Sequence, residues 1–285
     1  MKISDTKRVG EAVNAIMQAD GLIITAGAGM GVDSGLPDFR GQHGFWQAYP
    51  ALADAGLDFT EVANPLAFTM SPKLAWGFYG HRLNLYRQTQ PHQGFQVLKQ
   101  IAEKMTGGYQ VFTSNVDGHF QKAGFDSGRV YECHGSINYL QCSESCQDNI
   151  WTATNLSVET DDVRCLATSE LPRCPHCNEV ARPNILMFGD AYWQSERSDI
   201  QATKMSRNIA KMSSPVIIEL GAGKSVPTVR HFSESVNGQL VRINPRDIDV
   251  PANGISLSMG ALEGLSLIEK TLNTLGYFNE ISEVK

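Results

Sequence analysis

Four groups of residues in this sequence have the types and spacing to do chemistry. Cys142-x-x-x-Cys146 and Cys174-x-x-Cys177 are two short-spaced pairs separated by 27 residues, 147–173. Four thiolates can hold Zn²⁺ tetrahedrally, and short spacing within each pair brings the sulfurs together at small loop-closure cost. Four sulfurs leave no open coordination position, so the expected ion is structural. Cys133 and Cys165 stand outside this set and are expected as free thiols. Next, the apolar run from Leu22 ends in Gly27-Ala28-Gly29-Met30-Gly31. Glycines lack Cβ atoms and let backbone amides approach a phosphate, and a helix opening near Met30 to Ser34 would aim its positive end there. Val32 stands where G-x-G-x-x-G has its third glycine, so the glycines alone fit a plain strand-to-helix turn equally well.

The third group is Asn115, Asp117 and His134, each just past a strand-like run. A carboxylate there can accept hydrogen bonds from a carboxamide, and a histidine that titrates near neutrality can take a proton from a hydroxyl. Taken alone, His134 also fits the role of a structural histidine. The fourth is Tyr79 and Arg82, three apart and therefore on one helix face. Arginine offers a two-pronged donor to a carboxylate with the tyrosine hydroxyl beside it, although a solvated helix face would carry the same residues.

Apolar spacing predicts helices over 6–19 and from Phe95 to Met105, Pro72 suits the first turn of a helix through Tyr86, and Gly264 to Leu275 reads as a further helix. Strands are predicted at Leu22–Thr25, Tyr109–Thr113, Val130–Cys133, Ile185–Phe188, Val216–Leu220 and Leu240–Ile243. Such alternation argues for an α/β fold with a Rossmann-like parallel sheet, helices on both faces, and a ligand crevice at the strand C-terminal ends. The less periodic stretches would form a smaller zinc-binding, helical lobe. The expected division of the single 1–285 domain is a Rossmann-like lobe of about 1–42, 87–135 and 185–285 and a small lobe of about 43–86 and 136–184, with the zinc module at 140–180. The chain has 285 residues, 42% hydrophobic and 19% charged, with a formal charge of −6. That balance argues against a general nucleic-acid or anionic-membrane binder. With no run of about 18 apolar residues, no signal-peptide core and paired cysteines, a cytoplasmic setting is expected.

Several of these segments, in order along the chain, resemble the sirtuin family of NAD-consuming protein deacylases. They are Gly27-Ala28-Gly29, Ser34-Gly35-Leu36-Pro37-Asp38-Phe39-Arg40-Gly41, Thr113-Ser114-Asn115-Val116-Asp117-Gly118, Glu132-Cys133-His134-Gly135, Arg182-Pro183 through Gly189-Asp190, and Ile243-Asn244. The resemblance implies that His134 is the general base, with Asn115 lining and Asp117 binding the nicotinamide end of NAD. It implies NAD contacts from Gly27, Ala28, Gly29, Asp38, Phe39, Arg40, Ser114, Gly221, Ala222, Gly223 and Asn244. Substrate peptide would be clamped by Ile185, Met187, Phe188 and Gly189.

The departures from the family are Ala26 and Ser114 in place of Thr and Gln, and Gly221-Ala222-Gly223 in place of Gly-Thr-Ser, which loses two hydroxyls. Trp76-x-Phe78-Tyr79-x-x-Arg82 is similar to the segment of sirtuins that remove succinyl, malonyl or glutaryl groups. The implied activity is NAD-dependent lysine deacylation of an acylated protein or peptide, releasing nicotinamide and O-acyl-ADP-ribose. ADP-ribosyl transfer or NAD hydrolysis would use the same pocket, and a non-catalytic NAD or acyl-lysine binder is the reading from another class.

Overall fold

The computed structural model describes residues 3–37 and 41–279. Its strands, in chain order, are β1 (Gly21–Ala26), β2 (Gly108–Thr113), β3 (Val130–Glu132), β4 (Gly135–Cys142), β5 (Trp151–Thr152), β6 (Thr160–Asp161), β7 (Leu166–Ala167), β8 (Ala181–Ile185), β9 (Pro215–Leu220), β10 (Gln239–Ile243) and β11 (Ile255–Leu257). Six of them form one sheet in the order β11-β10-β9-β1-β2-β3, every pair parallel. β1 and β9 are buried along their whole length, which is why both read as mostly apolar runs, with Thr25 and Glu219 as the polar exceptions. Strand order runs outward in both directions from β1 and β9, so their C-terminal ends flank a topological switch point, where open α/β sheets leave a crevice.

Helices cover both faces. Leu22 and Ile24 pack with Ile16, Leu98, Ile101, Leu265 and Ile268, which come from the helices Ile3–Gln18, Gly94–Lys104 and Ala261–Thr274. Ile23 points the other way, into a cluster with Ile217, Met212 and Leu240. The helices Glu196–Ile209 and Thr228–Ser235 supply Met205 and Val229 to that second face. The alternation of Leu22, Ile23 and Ile24 between two clusters is the pleat expressed as packing.

A second apolar cluster lies beyond the parallel sheet. It gathers Phe45, Phe68, Trp76, Phe78, Tyr79, Leu83, Ile137, Leu140, Ile185 and Met187 around the Pro72–Gln88 helix. An antiparallel sheet, β5-β4-β8, and the small hairpin β6-β7 complete this part.

The structure corrects three sequence expectations. The helix expected near Met30 to Ser34 is two 3₁₀ turns, Ala28–Met30 and Val32–Ser34, the second ended by Gly35 at φ +90°. The strand expected at Ile185–Phe188 ends at Ile185; it is β8, which pairs antiparallel with β4 and takes no part in the parallel sheet. The stretch 136–142, placed among the less periodic segments of the small lobe, is most of β4. The remaining predicted elements are present with boundaries shifted by at most three residues.

The core also contains a charge network. Arg242 on β10 lies opposite Glu219 on β9, and both side chains are fully buried. The guanidinium donates to both carboxylate oxygens, at 2.5 and 2.9 Å, and its Nη2 reaches Glu234 at 2.7 Å. Deleting the cation strands a buried carboxylate, which costs far more than the intact pair contributes. Arg242→Leu should therefore lower unfolding stability by about 3–5 kcal/mol, read by denaturant titration.

Candidate active site and metal centre

The floor of the crevice is a meeting of two chain turns. Gly27 N–H donates to the Leu220 carbonyl at 3.0 Å and Gly29 N–H to the Gly221 carbonyl at 3.1 Å. A Cβ on Gly27 would lie 2.9 Å from Ala222 Cα. Gly221 sits at φ +59°, and a Cβ there would come within 2.4 Å of the Gly29 carbonyl carbon. Glycine is required at both places because backbone meets backbone, a demand separate from any ligand. Ala28 is exposed at the surface of this turn, and Gly29 and Gly223 are half-buried.

Thr113, the last residue of β2, ties three strand ends together. Its hydroxyl donates to the Ala26 carbonyl at 3.0 Å and accepts from Asn115 N–H at 3.0 Å, while its carbonyl accepts from Cys133 N–H at 2.9 Å. Asn115 Nδ2 donates to the Gly27 carbonyl at 3.0 Å, joining the β2 loop to the glycine turn, and Ser114 N–H bonds to Ala26 O. The Asp117 carboxylate accepts from His119 N–H at 2.8 Å. Asn244 is buried: its Nδ2 donates to the Ala222 carbonyl and its Oδ1 accepts from the amides of Arg246 and Asp247. Each of these polar side chains therefore shapes a loop at the C-terminal edge of the parallel sheet. Asp38, Phe39 and Arg40 lie outside the described residues.

His134 occupies the joint between β3 and β4, the edge of the parallel sheet and the start of the antiparallel one. It is half-buried, and burial holds its imidazole below the ordinary histidine range, in the neutral, proton-accepting form. Gly135 follows at φ +76°, where a Cβ would sit 2.1 Å from the Asn184 carbonyl oxygen. The His134 carbonyl accepts from Leu186 N–H at 2.9 Å, which hangs the loop after β8 directly on this residue. In that loop Ile185 and Met187 are buried, Phe188 and Gly189 are exposed, and Phe188 N–H donates to Ala63 O. Burial pushes the neighbouring Cys133 thiol up to about 12, so it stays protonated.

Two supports were not assigned from the sequence. Arg182 and Asp190 form a two-pronged ion pair at 2.7 and 2.8 Å, with both side chains inaccessible to solvent. It closes the loop that carries Met187, Phe188 and Gly189. Glu132, two residues before His134, pairs with Arg197, whose guanidinium lies 4.1 Å from the Tyr139 ring centroid.

Tyr79 and Arg82 lie inside the second apolar cluster, not on a solvated face. Tyr79 is 2% exposed and Arg82 8%. Arg82 donates through Nε to the Tyr86 hydroxyl at 2.8 Å, with Nη2 also on that oxygen, and lies over the rings of Phe78 and Tyr86. Burial holds the Tyr79 and Tyr86 phenols above their ordinary range, which keeps both neutral beside the cation. Tyr86 is the residue that sequence reasoning missed; its signal was the i, i+4 spacing from Arg82.

The four paired cysteines converge. Their sulfurs all lie within 4.8 Å of one another, with Cys142–Cys177 at 3.5 Å and Cys146–Cys174 at 3.6 Å. No disulfide joins them. Tetrahedral Zn–S bonds of about 2.3 Å put sulfurs about 3.8 Å apart, so the thiols present fit a closed structural zinc site. Ser145 and Asn178, both at positive φ, turn the two knuckles.

Residues 27–218 match the Sir2 family. The NAD-dependent protein deacylase of Pyrococcus furiosus is 31% identical over 83% of this chain and 86% of its own length. That of Aquifex aeolicus is 28% identical over 80% of this chain and 85% of its own. Among solved structures, a Sir2 homologue mutant with ADP-ribose superposes with a TM-score of 0.69 at 24% identity, covering 93% of this chain and 96% of its own. A Sir2 homologue–NAD complex gives 0.68 at 22% identity, covering 93% and 94%.

Since a closed thiolate site contributes folding energy, Cys174→Ala should bind less than one zinc per chain and melt at least about 10 °C lower. Elemental analysis and a thermal melt on the same sample check this.

Proposed function

The chain belongs to the Sir2 family, and on that premise we propose how its own residues carry out NAD-dependent protein-lysine deacylation. NAD is consumed as a substrate, supplying ADP-ribose as acyl acceptor with nicotinamide as leaving group. The observation that carries this reading is the position of His134. It is a half-buried, neutral imidazole between the Thr113-anchored crevice and the loop whose Leu186 amide it holds.

His134 takes the proton of a ribose hydroxyl, freeing that oxygen to receive the acyl group. Asn115, fixed by its bond to Gly27 O, lines the nicotinamide side, and Asp117 holds the carboxamide. The Gly27-Ala28-Gly29 turn, Ser114, Gly221-Ala222-Gly223 and Asn244 form the rest of the NAD crevice. Since Ala222 and Gly223 offer no hydroxyls, backbone amides make the contacts there. Ile185, Met187, Phe188 and Gly189 dock the peptide, an interaction in which backbone pairing gives affinity. Four cysteines hold the structural zinc. The catalytic unit divides into the Rossmann-like portion, about 1–42, 87–135 and 185–285, and the smaller portion, about 43–86 and 136–184.

Tyr79 and Arg82 select the acyl chain. A guanidinium held among neutral phenols and aromatic faces suits a carboxylate at the end of a succinyl or malonyl group, since removal from water strengthens the attraction. No helix of the described residues is long and apolar enough to cross a membrane. Four thiols side by side without disulfides suit a reducing compartment, which supports a cytoplasmic setting.

The test is kinetic, on matched acetyl- and succinyl-lysine peptides with NAD. His134→Ala should lower kcat by about 10²–10⁴-fold while NAD still binds. The acidic limb of the pH profile should fall below about 6.5, because burial depresses the base and activity is lost only as pH drops through that lowered value. Arg82→Met should reduce kcat/KM for the succinyl peptide by about tenfold or more, with a smaller effect on the acetyl peptide. NAD consumption without acyl loss would instead indicate ADP-ribosyl transfer or NAD hydrolysis.

A further inference from the structure

The Pro72–Gln88 helix has a second face held by specific contacts. Gly77, Gly80, Asn84 and Arg87 follow one another at intervals of three, four and three residues and so form one row along it. That row is covered by part of the segment between the two cysteine pairs. A Cβ on Gly77 would lie 2.1 Å from the Cys165 carbonyl oxygen, and one on Gly80 2.6 Å from Val158 Cγ1. Further along the row, Asn84 Nδ2 donates to the Val158 carbonyl at 2.8 Å. Arg87 then donates to the carbonyls of Leu156 and Ala153, both at 2.5 Å. Cys165 itself is buried at φ +54°, a conformation costly for a residue with a side chain.

We propose that residues 153–166 are a strap that positions the acyl-recognition helix, with Gly77, Gly80, Asn84 and Arg87 as the positioning contacts that set where Tyr79 and Arg82 stand. A linker that merely joined two knuckles would need neither glycines for backbone approach nor three side-chain bonds to its carbonyls. Toward its N-terminal half the helix has a separate anchor, Trp76 Nε1 donating to Ala181 O at 2.8 Å. Release of the strap therefore acts on the half that carries Arg82 and Tyr86. The side-chain hydrogen bonds of Asn84 and Arg87 run to the carbonyls of Val158, Leu156 and Ala153, so their effect on catalysis passes through the helix. The inference rests on reading Tyr79 and Arg82 as the acyl-selecting pair.

The experiment uses the full zinc-loaded chain with Asn84→Ala and Arg87→Ala combined. It reads kcat and KM for succinyl- and acetyl-lysine peptides, KM for NAD, zinc content, and amide hydrogen exchange of residues 79–86. The strap predicts at least tenfold faster exchange in 79–86. It also predicts at least a fivefold fall in the succinyl-to-acetyl kcat/KM ratio, carried by KM of the succinyl peptide, with NAD KM and zinc content unchanged. Arg87→Lys, which can serve one of the two carbonyls, should recover part of both effects. Should the double variant fold poorly, Gly77→Ala, which pushes the Cys165 backbone away, should give the same pair of changes. Unchanged exchange and an unchanged ratio would overturn the inference. Arg82→Met in the intact chain separates it from the reading beneath it. If that variant leaves the ratio unchanged, the acyl-selecting role fails, while faster exchange in the strap variant still supports positioning. If it abolishes the ratio and the strap variant does not alter it, the strap alone fails.

Discussion

Everything in the crevice depends on two turns meeting with no side chain between them. Gly27 lies against Ala222 and Gly221 against Gly29, at separations that a methyl group would close. The parallel register of β1 with β9 ends at Ala26 opposite Leu220, so both segments leave the sheet at one level and meet there. The junction is then cross-linked by amides and by Asn115 and Asn244, whose side chains each hold a carbonyl of one of these turns. Buried backbone groups that found no partner here would each cost about 1–3 kcal/mol, so the polar residues at the strand ends are required by the fold before any ligand arrives. What that requirement leaves accessible at the switch point is Ala28, with Gly29 and Gly223 half-buried beside it.

The second part of the molecule solves a different problem. It holds a guanidinium inside an apolar cluster, where an isolated charge would be expensive. Arg82 is accommodated by the Tyr86 hydroxyl and by the faces of two aromatic rings. The helix that carries it is buried on most of its circumference, against β8 through Trp76 and against the segment between the cysteine pairs through Gly77 and Gly80. The zinc-site cysteines hold both ends of that segment. The parallel sheet and the antiparallel sheet follow one another through Cys133 and His134, the turn between β3 and β4.

The sequence displayed the parallel strands, the four cysteines and the strand-end polar residues, because each depends on local pattern: continuous burial, short spacing or a break after an apolar run. The family resemblance added the roles proposed for His134 and Asn115, which residue type alone left open. Other features were not legible for physical reasons. The Pro72–Gln88 helix was recognisable from Pro72 at its first turn more than from periodicity, since a helix buried nearly all round has no polar stripe. The Glu196–Ile209 helix failed the opposite way: only Ser198 and Met205 are buried, and it holds the β3 edge through Arg197 and Glu132. The strand β8 contains Arg182, Pro183 and Asn184, and the ion pair that buries Arg182 depends on Asp190, beyond the strand. The glycine turn suggested a helix N-terminus, yet two 3₁₀ turns stand there, the second ended by Gly35 in a left-handed conformation.

The central claim is that this crevice moves an acyl group from lysine to ADP-ribose. Mass spectrometry of both products from one reaction, an acyl-lysine peptide with NAD followed over time, tests it most directly. The account predicts that deacylated peptide, nicotinamide and O-acyl-ADP-ribose appear in equal amounts. Nicotinamide accumulating with free or protein-bound ADP-ribose, while the peptide keeps its acyl group, would contradict it.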